Sequence, residues 1–176
     1  MSEDAHTLIA PALGRPLSAR IRQALPSPRV AVAGAMLWAL LLTGSAFLGL
    51  KHWMMPAHTA VVLLLYAAGA VLSFPVAMFL AEAIAGDKRP TQRFAAAFLS
   101  LATTTIGLTA ALLAMDYRAY YAHSHEEAFS RIWVLQLTGT ALSAFYQFAV
   151  IGLRLYFPLG FIGLFAASAW FAVRAR

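Results

Sequence analysis

The chain contains no cysteine, which excludes disulfides, thiolate metal sites and thiol nucleophiles. Charge is almost as scarce. Only 11% of the 176 residues are Asp, Glu, Lys or Arg, against roughly a quarter in an ordinary soluble domain. No GxSxG, HExxH or glycine-rich phosphate loop occurs anywhere in the sequence, so nothing marks a hydrolase, a zinc protease or a nucleotide-binding enzyme. Residues 1–29 do not read as a secretory leader: Glu3 and Asp4 stand near the start, and Pro11, Pro16, Pro26 and Pro28 break any compact apolar segment.

What the chain has in abundance is hydrocarbon, with 61% of its residues hydrophobic. Small domains leave a large share of their surface exposed, so a water-soluble protein of this length could not hide so much apolar area. A bilayer removes the difficulty by solvating the outer faces. The expectation is an all-α, polytopic transmembrane helical bundle, with no strand signal and no internal repeat. The net charge of +6 fits the same picture. The basic residues flank the apolar runs, where anionic headgroups and the positive-inside rule call for them, so no nucleic acid partner is expected.

Residues 1–29 read as a cytoplasmic tail. Leu17, Ile21 and Leu25 recur at helical spacing, with Arg20 and Arg22 flanking Ile21, the pattern of a short interfacial amphipathic helix. Residues 30–176 read as one transmembrane domain with spans at about 30–50, 59–85, 94–115, 132–153 and 155–173. The first is an uncharged run closed by Lys51, His52 and Trp53, an interfacial ending. The second contains Pro75, and Gly86 to Pro90 then form a polar turn. As one helix, residues 132–173 would measure about 63 Å, twice a bilayer core of about 30 Å. Arg154 and Pro158 therefore divide the region, giving five spans. The alternative is four, with the last segment re-entrant or interfacial. Five spans place eight Lys and Arg residues on the amino-terminal side and five on the other, so the amino terminus is expected in the cytoplasm. The alanine-rich spans suggest a cell membrane of the bacterial inner-membrane type.

Three groups of residues carry possible chemistry. The first is a polar stripe, Gln136, Thr140, Ser143, Gln147 and Arg154, which on a continuous helix falls within about 60°. Glutamine in hydrocarbon needs a partner, so this stripe is expected to face protein. Ser100, Thr103, Thr104 and Gly107 offer a small, hydroxyl-bearing counterpart on the third span. The second group lies in the two loops expected outside the cytoplasm: His52, Met54, Met55 and His58, then His123, His125, Glu126 and Glu127. Imidazole and thioether suit copper or haem, although an aromatic belt of Trp53, Tyr117, Tyr120, Tyr121 and Trp133 at the same boundary suits an ordinary interface equally. The third is Glu82, a carboxylate near the end of the second span, with Lys88, Arg89 and Arg93 close by in sequence.

These features support three readings. The leading one is a non-enzymatic accessory or scaffold subunit packing with itself or a larger membrane complex, to which Gly163 and Ala167 add a small-xxx-small contact. The second is a metal- or haem-binding redox membrane protein using the histidine face. The third is a small-solute transporter using the polar stripe. The residues name no cofactor and give an enzyme little to stand on.

Overall fold

The computed structural model describes residues 24–51, 56–85, 88–122, 126–127 and 129–174. Among them the fold is all-α. Its five helices are α1 Pro28–Leu50, α2 Pro56–Ala85, α3 Pro90–Tyr121, α4 Arg131–Val150 and α5 Leu159–Val173, with a 3-10 turn, Gly152–Tyr156, between the last two. The first three helices each begin on a proline. That position has no intrahelical use for its N–H, and the fixed φ of proline suits the first turn. Ser130 opens α4, its hydroxyl accepting the N–H of Trp133 at 3.0 Å, as an N-cap should. α2 continues through Pro75.

Pro28–Leu50, His58–Ala85 and Pro90–Tyr121 are long and apolar enough to cross a membrane, and Leu159–Val173 is apolar but shorter. Their packing points to a multi-pass membrane protein. The interior is built from small and hydroxyl residues: Ser45, Ala46, Ala70, Ser73, Ala77, Ala81, Ala97 and Thr109 are fully buried. Large apolar side chains point outward, with Leu40, Leu64, Leu135 and Ile162 all well exposed. Water would penalise that arrangement, whereas lipid, as apolar as leucine, leaves close backbone approach as the main source of cohesion.

Contacts fix the directions of the helices. On the α2–α3 seam, Gly69 meets Thr109 and Ser73 meets Thr105, so the two are antiparallel. On the α1–α5 seam, Gly49 meets Leu155, Leu42 meets Gly160, and Trp38 meets Gly163, so α5 runs opposite to α1. Phe98 against Phe165 and Arg93 against Phe171 set α5 antiparallel to α3 as well.

α4 behaves differently. Its Trp133 ring lies 6.0 Å from the Arg118 guanidinium, and Gln147 Nε2 donates to Tyr117 Oη at 3.2 Å. Those two α4 residues are about 21 Å apart along a helix axis, yet both reach the last turns of α3. α4 therefore caps the carboxy-terminal part of α3 and does not extend to its start. Residues 131–174 as a whole lead from the Arg118 end of α3 back to its Arg93 end, α5 making the return.

Candidate functional site

Arg93, in the first turn of α3, binds three helices together. It is buried to 8% exposure although it is charged. Its Nη2 donates to the carbonyls of Phe171, at 3.1 Å, and Arg174, at 3.4 Å. Its Nη1 lies 3.9 Å from Glu82 Oε2 on α2, and the guanidinium sits 4.8 Å from the centre of the Phe171 ring. The last carbonyls of a helix have no intrahelical partner and carry the negative end of its dipole. A guanidinium placed there satisfies both. Glu82, expected at an interface beside loop cations, is 19% exposed and pairs with this arginine. Sequence reasoning counted Arg93 only as a loop charge. The missed signal is its helical spacing to Ala96, Ala97 and Ser100, all buried on the same face of α3.

Near mid-height a second group joins the first three helices. Trp38 Nε1 donates to Thr105 Oγ1 at 3.1 Å, and Thr105 and Ser73 share a hydroxyl contact of 3.1 Å. Ser73 Oγ also donates to the carbonyl of Ala70. A serine hydroxyl has one proton, so Thr105 must donate to Ser73, and the order runs from Trp38 through Thr105 and Ser73 to Ala70. Higher in the bundle, Tyr66 Oη donates to the carbonyl of Gly152 at 2.6 Å. The Tyr66, Phe148 and Tyr156 rings cluster around it, with centres 5.1–6.5 Å apart. This pins the 3-10 turn onto α2.

The polar stripe of α4 is only partly covered. Gln136 and Thr140 are half-buried, whereas Ser143 and Gln147 are exposed. Gln136 Oε1 accepts the N–H of Glu126 at 3.0 Å, and Thr140 donates to the carbonyl of Gln136. The face α4 buries is that of Ala144 and Phe148. The α-helix stops at Val150 and the 3-10 turn follows, so Arg154 no longer shares the angular register computed for a continuous helix. On α3, Thr103 and Thr104 bond to their own helix, to the carbonyls of Leu99 and Ser100 at 2.6 Å, while a Cβ at Gly107 would meet no other helix within 4 Å. The seam uses the adjacent face of Ala97, Leu101, Thr105 and Thr109. Gly163 and Ala167 are likewise taken up inside the chain, Gly163 against Trp38 and Leu41.

Of the histidine face, His58, Glu126 and Glu127 are exposed. His52, Met54, Met55, His123 and His125 lie outside the described residues. Among the described residues no three His, Cys, Asp or Glu side chains come together.

A cleft of about 280 Å³ lies between α1, α3 and the segment 153–164. Its walls are hydrocarbon, with the bonded Trp38–Thr105 pair at one side.

Compared with protein-family models, curated proteins and solved structures, the chain matches none.

Proposed function

We propose that this chain is a small accessory or scaffold subunit that crosses a membrane four times and offers α4 to a partner helix. In this reading α1, α2 and α3 cross singly, α4 stays at the Arg118 end, and the fourth crossing is made by the return through α5. Nine of the thirteen Lys and Arg residues then fall on the Arg93 side and four, Lys51, Arg118, Arg131 and Arg154, on the other. That bias is steeper than five crossings give, and it puts the Arg93 side in the cytoplasm. A bacterial-type inner membrane suits the composition.

The observation that carries the assembly reading is the coverage of α4. Ser143 and Gln147 share the outer surface with Leu135, Leu142 and Tyr146. Ser143 makes no hydrogen bond among the described residues and Gln147 uses its Nε2 on Tyr117, so the remaining polar atoms of this outward face are left for a protein partner, and a second copy or a larger complex would supply it.

The test is affinity purification from membranes in mild detergent, comparing the parent with a Ser143→Leu, Gln147→Leu double variant. The parent is expected to retain a partner chain or a second copy. The variant should weaken that association about tenfold, the effect of losing two interhelical hydrogen bonds, with a thermal melt lowered only slightly by loss of the exposed Gln147–Tyr117 bond. A parent that purifies alone, or a variant that associates as well as the parent, contradicts the proposal.

A further inference from the structure

The cleft has a floor, a length and a charged mouth. Its floor is the wall residue Phe98, backed by Phe165, edge to face at 5.2 Å, and by Phe94, 6.1 Å from each. At the side Phe157 and Phe161 stack at 5.0 Å and remain about half exposed, so the cleft opens laterally. Of its polar atoms, the indole N–H of Trp38 is taken by Thr105, and the hydroxyl of the wall residue Tyr156 has no partner among the described residues but is itself buried from the surface.

The mouth lies at the 3-10 turn. Residues three apart in a 3-10 helix eclipse one another, and the N–H of Phe157 bonds the carbonyl of Arg154 at 3.1 Å. Arg154 therefore stands over Phe157, a wall residue, one turn nearer the end of α1. It is exposed and makes no ion pair among the described residues. Exposed Lys51 follows at the same end, because Gly49 touches Leu155. The distance from mouth to floor also has meaning. On α3 the wall runs from Phe98 to Ile106, eight residues or about 12 Å of helix rise, most of the half bilayer core of about 15 Å.

We infer that this cleft holds one acyl chain of an anionic phospholipid, whose headgroup sits on Arg154. The apolar walls accept a chain and offer nothing to a polar solute. The depth covers most of one leaflet, from interface toward midplane. The cation stands where the headgroup of such a chain must be. The volume is at the lower end of ligand pockets, which start near 300 Å³, so it admits one slim chain. This site rests on the proposed insertion in a bilayer, and vesicle flotation, scored first, separates the two: a chain that fails to float with vesicles overturns both.

Trp38 makes the site readable. Trp53→Phe, Trp133→Phe and Trp170→Phe leave it as the sole tryptophan of the four. The triple variant is reconstituted in vesicles of phosphatidylcholine containing increasing fractions of either phosphatidylglycerol or phosphatidylcholine brominated along the acyl chain. Bromine quenches indole fluorescence on contact. Half-maximal quenching is expected at an about fivefold lower fraction of the anionic lipid, the effect of one interfacial cation. Arg154→Gln should bring the two curves together, and Ala102→Phe, which fills the cleft, should abolish quenching. Arg154→Gln alters an exposed side chain, so it decides the matter even where Ala102→Phe fails to fold. Equal quenching by both lipids in the parent, or a floating parent whose Trp38 is quenched by neither, overturns the inference.

Discussion

Arg93→Ala is expected to lower the stability of the bundle by about 3–5 kcal/mol, the range for breaking a buried charge pair from one side. The contributions are unequal. The ion pair to Glu82 is long, at 3.9 Å, whereas the bond to the Phe171 carbonyl is 3.1 Å and the Phe171 ring lies directly under the guanidinium. Most of the loss should therefore come from the end of α5, whose final carbonyls lose their donor. Glu82→Gln should cost much less, because Arg93 keeps its carbonyl partners. Arg93→Lys should recover only part of the loss: one ammonium cannot reproduce the planar fork that reaches two carbonyls and stacks on a ring. Thermal melts in detergent rank the three variants, and limited proteolysis shows whether α5 detaches first. An Arg93→Ala protein that melts with the parent would show that α5 is held by apolar contact alone.

Gly69→Val should also cost about 1–3 kcal/mol, the usual penalty for overfilling a packed interior. A Cβ at Gly69 would lie 2.3 Å from Thr109 Oγ1 and 3.1 Å from Thr109 Cα. The second contact is with backbone, which cannot rotate away, so α2 and α3 would have to separate. Thr109 is fully buried, and Ala70 and Ala110 are buried on either side of the contact, leaving no slack to absorb the shift. Gly107→Ala gives the opposite result for the same type of residue on α3. With no other helix within 4 Å of its would-be Cβ, it should stabilise the helix by about 0.5–1 kcal/mol through lost chain entropy. Equal effects at the two glycines would mean that α2 and α3 do not approach as closely as described.

The all-α organisation was legible in the sequence, because long uncharged runs leave the backbone no other way to satisfy its hydrogen bonds in lipid. The seams were less legible. From Ala95 to Ala111 of α3, twelve of the seventeen residues are small or hydroxyl-bearing, so several faces obey the same rule for close approach. The face of Thr103 and Gly107 looked as suitable as that of Thr105 and Thr109, and only the positions of α1 and α2 decide between them. The hydroxyls of Thr103 and Thr104 gave a false signal because they bond their own helix, as mid-helix threonine often does. The Arg93 clamp was hidden by its neighbours Lys88 and Arg89, which make it look like loop charge. The turn at Gly152 is set by Tyr66, 86 residues away, a pairing that no local pattern displays. The α4 stripe showed the reverse problem. Its spacing was plain, but its angular register assumed a helix that ends at Val150.

The account turns on residues 131–174 making one net traverse, and the absence of cysteine makes that directly measurable. Lys51→Cys, Lys88→Cys, Arg154→Cys and Arg174→Cys are each introduced alone at exposed positions and labelled in intact cells with a membrane-impermeant maleimide, with lysed cells as the reference. The account predicts that positions 51 and 154 label from outside, and that 88 and 174 label only after lysis. Position 174 labelling together with position 51 would contradict it, because the last two helices would then cross separately.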